Sequence, residues 1–186
     1  MLEKQLGGCM NLMELMYNRR SIRKYKPDVL NEDVIYEIIR AAVSAPSAGN
    51  VQPWEFIIVK DKEVKAALAK AAYGQVFIAE APVVIVVCAY LAEASRAYGE
   101  RGSGLYCIQD TAAAIENTLL YASFKGIGSC WVGAFSEKAV GKILFLPDYV
   151  RPVAIIPLGY PAESPRKPLR KPLSEIIHFE RFMRKD

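Results

Sequence analysis

Asn18-Arg19-Arg20-Ser21-Ile22-Arg23-Lys24-Tyr25, with Lys26 next, sets five basic groups between Arg19 and Lys26 and no acid among them. A guanidinium meets a phosphate bidentately, so Arg19 and Arg23 read as an anion clamp, with Arg20 and Ser21 adding donors. Taken alone, the run reads more readily as a solvated basic turn, because cations are favoured just past a helix C-terminus, and its spacing to a second segment reverses that. Downstream comes Ala45-Pro46-Ser47-Ala48-Gly49-Asn50-Val51-Gln52-Pro53-Trp54, which opens onto the apolar run Phe56-Ile57-Ile58-Val59. Small residues there permit close backbone approach, while Ser47, Asn50 and Gln52 offer uncharged donors, as the rim of a pocket requires. Pro and Gly alone would support no more than a helix-to-strand turn.

Outward from these two segments the hydrophobic periodicity assigns elements. Leu12, Leu15 and Met16 recur at helical spacing, so residues 11–17 predict a short helix that delivers Arg19 and Arg20 at its end. Asn31 is the expected N-cap of a helix carrying Val34, Ile35, Ile38, Ile39 and Ala42, which ends before Pro46. Phe56–Val59 is a strand, and Asp61 caps a helix with Val64, Ala67, Leu68 and Ala71 on one face. Pro82–Ala89 is nearly all apolar and reads as a strand covered on both faces.

Residues 91–104, with Gly99, Gly102 and Gly104, read as a mobile connection, and the Ala-rich stretch from about Leu105 to Phe124 as the longest helix. Cys130–Gly133 is short and extended, and Ser136 caps a helix to about Leu144. Val150–Leu158 is a strand whose Pro152 and Pro157 suit an edge or a strand end. Four prolines from Pro161 to Pro172 predict an extended arm that closes in an amphipathic segment, Leu173–Phe182.

At 186 residues, 52% of them apolar, the chain is expected to form one domain over residues 1–186 without a disulfide or metal staple, with residues 1–10 a loose N-terminal extension. The net charge of +4 is unevenly spread, for residues 161–186 hold seven Lys/Arg against four Asp/Glu beside the cluster at 19–26. Charge gathered in two short segments points to a phosphate or an anionic cofactor, not to the long basic stripe of a nucleic-acid face. Cys9, Cys88, Cys107 and Cys130 form no C-x-x-C pair and read as reduced thiols of a cytoplasmic protein. No apolar stretch reaches the ~20 residues of a membrane span.

Together the two opening segments resemble the paired signatures of the nitroreductase family of FMN-dependent oxidoreductases, over roughly residues 11–180. The resemblance implies an α+β fold: a central mixed, mainly antiparallel sheet surrounded by helices, with an extended C-terminal arm. It also implies a homodimer with FMN at the subunit interface, the long helix between subunits, and residues 161–186 embracing the partner. By the same resemblance Arg19, Arg20, Ser21 and Arg23 hold the flavin phosphate. Pro46, Ser47, Ala48 and Asn50 line the ring, partly across the subunit boundary, and the backbone N–H groups of Gly133 and Ala134 face flavin N5. In related chains the arm returns a basic residue to the phosphate, here Lys167 or Arg170, with Arg166 beside them. Gln75 and Gln109 are candidates for the ring edges or ribityl hydroxyls, or equally exposed helix-end amides.

The implied activity is hydride transfer from NADH or NADPH through FMN to a nitroaromatic or quinone-type small-molecule acceptor in ping-pong order. No catalytic side chain and no metal are expected, since His178 is the single histidine and sits on a surface segment. Gly126-Ile127-Gly128 has Trp131 where a dinucleotide fingerprint needs its third glycine, and a helix before it, so a Rossmann site is rejected. Two alternatives stand beside this reading: a dehalogenase-like flavin enzyme of the same superfamily, and a non-catalytic FMN- or anion-binding module.

Overall fold

Strand β2, Val83–Tyr90, runs through the centre of the protein with every residue from Val83 to Ala89 buried. In the computed structural model, which describes residues 11–183, its side chains alternate between two cores. Val84, Val86 and Cys88 pack with Leu68, Ala72, Ile78 and Val140, while Val83, Ile85 and Val87 pack with Ile35, Ile38, Ile115 and Leu119. The sheet is therefore the middle of three layers.

One outer layer consists of α2 (Glu32–Val43) and α6 (Cys107–Phe124), and the other of α3 (Lys62–Ala71), α4 (Phe77–Glu80) and α7 (Glu137–Ile143). Their caps are those expected. Asn31 accepts from the N–H of Asp33, Asp61 from that of Val64, and Ser136 from that of Ala139.

Strands β1 (Trp54–Val59), β2, β3 (Gly128–Ser129) and β4 (Val150–Gly159) lie in the order β1-β2-β4-β3, each neighbouring pair antiparallel. A parallel bridge joins Ser21 to Ser129. The expected α+β class and mainly antiparallel sheet are thus present.

Three local expectations need correction. Strand β4 is interior, not an edge. Pro152 sits beside a bulge at Val87/Cys88, and Pro157 has the parity of Ile155, whose N–H and C=O both bond to Val132 on the β3 side. The nitrogen of Pro157 therefore points away from β2, where no ladder bond is lost. Second, residues 91–104 are helical: α5 (Leu91–Arg101), broken at Tyr98 and Gly99, runs into a π-turn at Gly102–Tyr106. The glycines mark a kink and a close helix contact there, not an open loop. Third, the amphipathic segment expected over Leu173–Phe182 is a single turn, α8 (Leu173–Ile176), with Phe179 and Phe182 exposed beyond it. The extension expected over residues 1–10 lies outside the described residues.

Candidate functional site

Helix α1 (Leu12–Asn18) opens with a reciprocal cap between Asn11 and Glu14. Its end is closed by Arg20, whose guanidinium donates to the carbonyls of Tyr17 and Arg19, each at 2.7 Å. Arg20 is thereby committed in part to the helix terminus. The chain then runs along β3, where the N–H of Ile22 donates to the carbonyl of Ser129 at 2.9 Å. Gly128 permits this approach, because a Cβ there would lie 2.8 Å from Ile22 Cγ2. Ser21 is held beside Ser129, and Arg23 stacks over the ring of Phe77, 5.8 Å from its centroid.

The C-terminal arm is led back to this turn by its backbone. Tyr25 bridges Pro161, the N–H of Ala162 donates to the carbonyl of Lys24, and Glu163 accepts from the N–H groups of Arg23 and Lys24 at 2.6 and 3.1 Å. Residues 165–170 then form the opposite wall. The result is a cleft of about 400 Å³ lined by Arg19, Arg20, Ser21, Arg23, Pro165, Arg166, Pro168 and Arg170. Lys167 turns to the far side of the wall, its ammonium 4.5 Å from the centroid of the Tyr17 ring, in a second cleft it shares with Arg19, Arg20 and Arg170. Of the two arm residues expected at the clamp, Arg170 is in the cleft, and Arg166 stands where Lys167 was expected.

Among the described residues, none of Arg19, Arg23, Arg166 and Arg170 forms an ion pair with a carboxylate. The acid at hand, Glu163, is held by backbone N–H groups and is not part of the cleft lining, whose five arginines leave it positive. Cys130 lies buried beneath the turn. Burial pushes its thiol up, an effect that Arg23, Ser21 and Arg19 oppose, so these groups share one electrostatic neighbourhood.

Next to the clamp lies the segment around residue 134. The Gln75 amide donates to the carbonyls of Ala72 and Ala134, both at 3.0 Å, and the N–H of Ser136 donates to the carbonyl of Ala71. Gly133 and Ala134 are exposed, and their N–H groups have no acceptor among the described residues. Gln75 precedes Phe77, on which Arg23 stacks, so the clamp and these free donors occupy one corner of the sheet.

The segment 46–50 occupies another. After α2 the chain turns through a 3-10 turn at Ala48–Asn50, with Gly49, Asn50 and Gln52 in the left-handed region at φ 55°, 57° and 55°. Ser47 Oγ accepts from the N–H of Gln52 at 3.0 Å, and Asp110 Oδ1 accepts from the N–H of Ala48 at 3.0 Å. Gly49 is required twice over, since a Cβ there would also lie 2.2 Å from the Tyr98 hydroxyl. Gln109, exposed on α6 beside Asp110, belongs to this corner.

Within one chain the two corners do not meet. The loop precedes β1 at the Trp54/Ala89 end of the sheet, whereas the clamp borders β3 at its Val83/Leu158 end. Between them, from Asp110 to Phe124, α6 runs about 20 Å at ~1.5 Å per residue. Of the expected site residues, Arg19, Arg20, Ser21 and Arg23 line the cleft, and Pro46, Ser47, Ala48 and Asn50 lie together on the loop before β1. Tyr98 and Asp110, which touch that loop, were not expected there, although an acid among Ile108, Ala112 and Ile115 on a largely apolar helix was a visible signal.

The nitroreductase family model matches residues 16–80 and 72–160. A protein of Archaeoglobus fulgidus, provisionally named NADH dehydrogenase/NAD(P)H nitroreductase, is 37% identical over 157 residues, covering 82% of this chain and 86% of that relative. The FMN reductase [NAD(P)H] of Bacillus subtilis is 30% identical over 188 residues, covering 94% of this chain and 76% of the relative. Among solved structures, a nitroreductase family protein from Streptococcus pneumoniae superposes with a TM-score of 0.82 at 27% identity, covering 90% of this chain and 99% of that one.

Proposed function

The chain belongs to the nitroreductase family, and from that premise we propose that two copies of it hold FMN between them and move electrons from NADH or NADPH to nitroaromatic or quinone-type acceptors. The observation that carries this reading is the convergence of Arg19, Arg23, Arg166 and Arg170 on one cleft without a carboxylate partner among the described residues.

The donor set fits FMN. A dianionic phosphate suits guanidinium groups and the Ser21 hydroxyl, and an uncharged ring suits the small 46–50 loop and the free N–H groups of Gly133 and Ala134. Bound between these residues, FMN would supply the redox chemistry, hydride transfer between nicotinamide donor and acceptor in ping-pong order. The chain's own task is positioning. Arg19, Ser21, Arg23, Arg166 and Arg170 fix the phosphate, and Gly133 and Ala134 offer backbone donors to the ring edge. Gln75 holds the carbonyl of Ala134 and so aims those donors. No side chain is assigned a proton transfer; substrate protons come from solvent.

The two separated corners support a homodimer, because a second subunit can bring its 46–50 loop to the first subunit's clamp. It also covers apolar surface left bare on one chain. Helix α1 buries no residue, with Leu12 and Met13 exposed, and Leu169 and Phe182 on the arm are 98% and 80% exposed. Among the described residues no helix is long and apolar enough to cross a membrane. Free, buried Cys88, Cys107 and Cys130 suit a reducing compartment, so we place the protein in the cytoplasm.

The test is spectroscopic and kinetic. The purified protein is expected to carry flavin absorption, to bleach under anaerobic NADH or NADPH, and to oxidise the nicotinamide steadily once menadione or a nitrofuran is added. A yellow protein that never turns over would assign it a binding role instead, and a colourless one that takes up no FMN would end the flavin reading.

A further inference from the structure

Asp110 is 7% exposed, faces no cation among its described bonding partners, and spends Oδ1 on the N–H of Ala48 across sixty-two residues of sequence. The loop it holds is strained, with two non-glycine residues, Asn50 and Gln52, in the left-handed region, a conformation that persists where surrounding groups over-determine it. Those surrounding groups are few. Inside the loop Ser47 Oγ accepts from the N–H of Gln52, and outside it Asp110 and the Tyr98 hydroxyl close on Ala48 and Gly49. Tyr98 is itself braced, edge-on at 5.3 Å, by Tyr106, whose hydroxyl accepts from Arg101 Nε. The kink of α5, braced by the π-turn, and the first turn of α6 thus converge on two consecutive residues, Ala48 and Gly49.

We propose that Asp110 is a positioning residue for the isoalloxazine ring of FMN, fixing through the Ala48 N–H the strained loop that lines the ring. The inference rests on the flavin reading above but concerns only the loop at the ring, and riboflavin, which lacks the phosphate, separates that loop from the clamp. Burial, which pushes the Asp110 carboxyl up, agrees with an acceptor enclosed by the loop and α6. The group's chemical need is an acceptor at Oδ1, not a charge, so asparagine can replace it in kind.

The experiment titrates FMN and riboflavin, which lacks the phosphate, into flavin-free wild type, Asp110→Ala, Asp110→Asn and Arg19→Ala, following flavin fluorescence alongside thermal melts of each flavin-free protein. Asp110→Ala is expected to weaken FMN and riboflavin by the same factor, roughly tenfold or more for a lost buried acceptor. Asp110→Asn is expected to restore both, and Arg19→Ala to weaken FMN alone. Wild-type affinity for both flavins in Asp110→Ala overturns the inference, as does a loss that affects FMN only or that Asp110→Asn fails to repair. A wild type that binds neither flavin overturns the flavin reading itself.

Discussion

At the residue scale, charge and the room left by small side chains decide the site. Arg19 is half-buried at the mouth of the cleft and makes no ion pair among the described residues, so its removal deprives the phosphate without stripping the fold of a partner. Arg19→Ala should shift unfolding stability by no more than about 1 kcal/mol in urea titrations while reducing copurified FMN several-fold. Gly128 has the opposite character. Gly128→Ala forces a methyl against Ile22 and should cost about 1–3 kcal/mol, read in the same titration, with the clamp displaced as a consequence. Asp110 gives a pH signature. Its carboxyl is raised by burial, so its contribution to stability is fully present below the unfolded carboxylate pKa of about 3.9 and is lost as pH rises through the higher folded value. Stability of Asp110→Asn relative to wild type should therefore increase between pH 4 and pH 7; a constant difference would mean that the carboxylate pays no desolvation cost.

At the scale of elements, periodicity and caps were legible and interruptions were not. Asn31, Asp61 and Ser136 announced three helix starts that the structure keeps, and the unbroken apolar run of β2 announced burial on both faces. What failed was reading proline and glycine as breakers. Pro157 survives in an interior strand because its nitrogen faces away from β2, and Gly102 lies inside a helical turn because it packs against the Ala94 carbonyl. Both outcomes depend on the neighbouring element, which local sequence does not specify. The arm behaves differently again, since it is drawn to the clamp by Glu163 and by bridges at Tyr25 and Pro161. A chain ending before Pro165 loses Arg166 and Arg170 but, among the described residues, no buried core residue. It should retain its thermal transition, lose most FMN affinity by fluorescence titration, and lose dimer mass by light scattering.

At the scale of the whole molecule, α6 separates the arginine cleft from the 46–50 loop, the corners proposed for the flavin phosphate and ring. The family resemblance in the sequence singled out the segments that form both corners. It did not reveal their separation, which emerges only once the strand order β1-β2-β4-β3 places the 46–50 loop and the 19–23 turn at opposite ends and edges of the sheet. Nor could spacing in the arm tell Arg166 from Lys167, because that choice depends on which side of the Pro165–Pro168 wall each side chain takes. The central claim is that the cleft between the Arg19–Arg23 turn and the arm grips the phosphate of FMN. It is tested most directly by comparing the dissociation constants of FMN and riboflavin for wild type and Arg19→Ala. Wild type should prefer FMN by roughly tenfold or more, the effect of one or two charge-assisted bonds, and that preference should largely disappear in the variant. Equal affinity of wild type for the two flavins, or a preference that Arg19→Ala leaves intact, would contradict it.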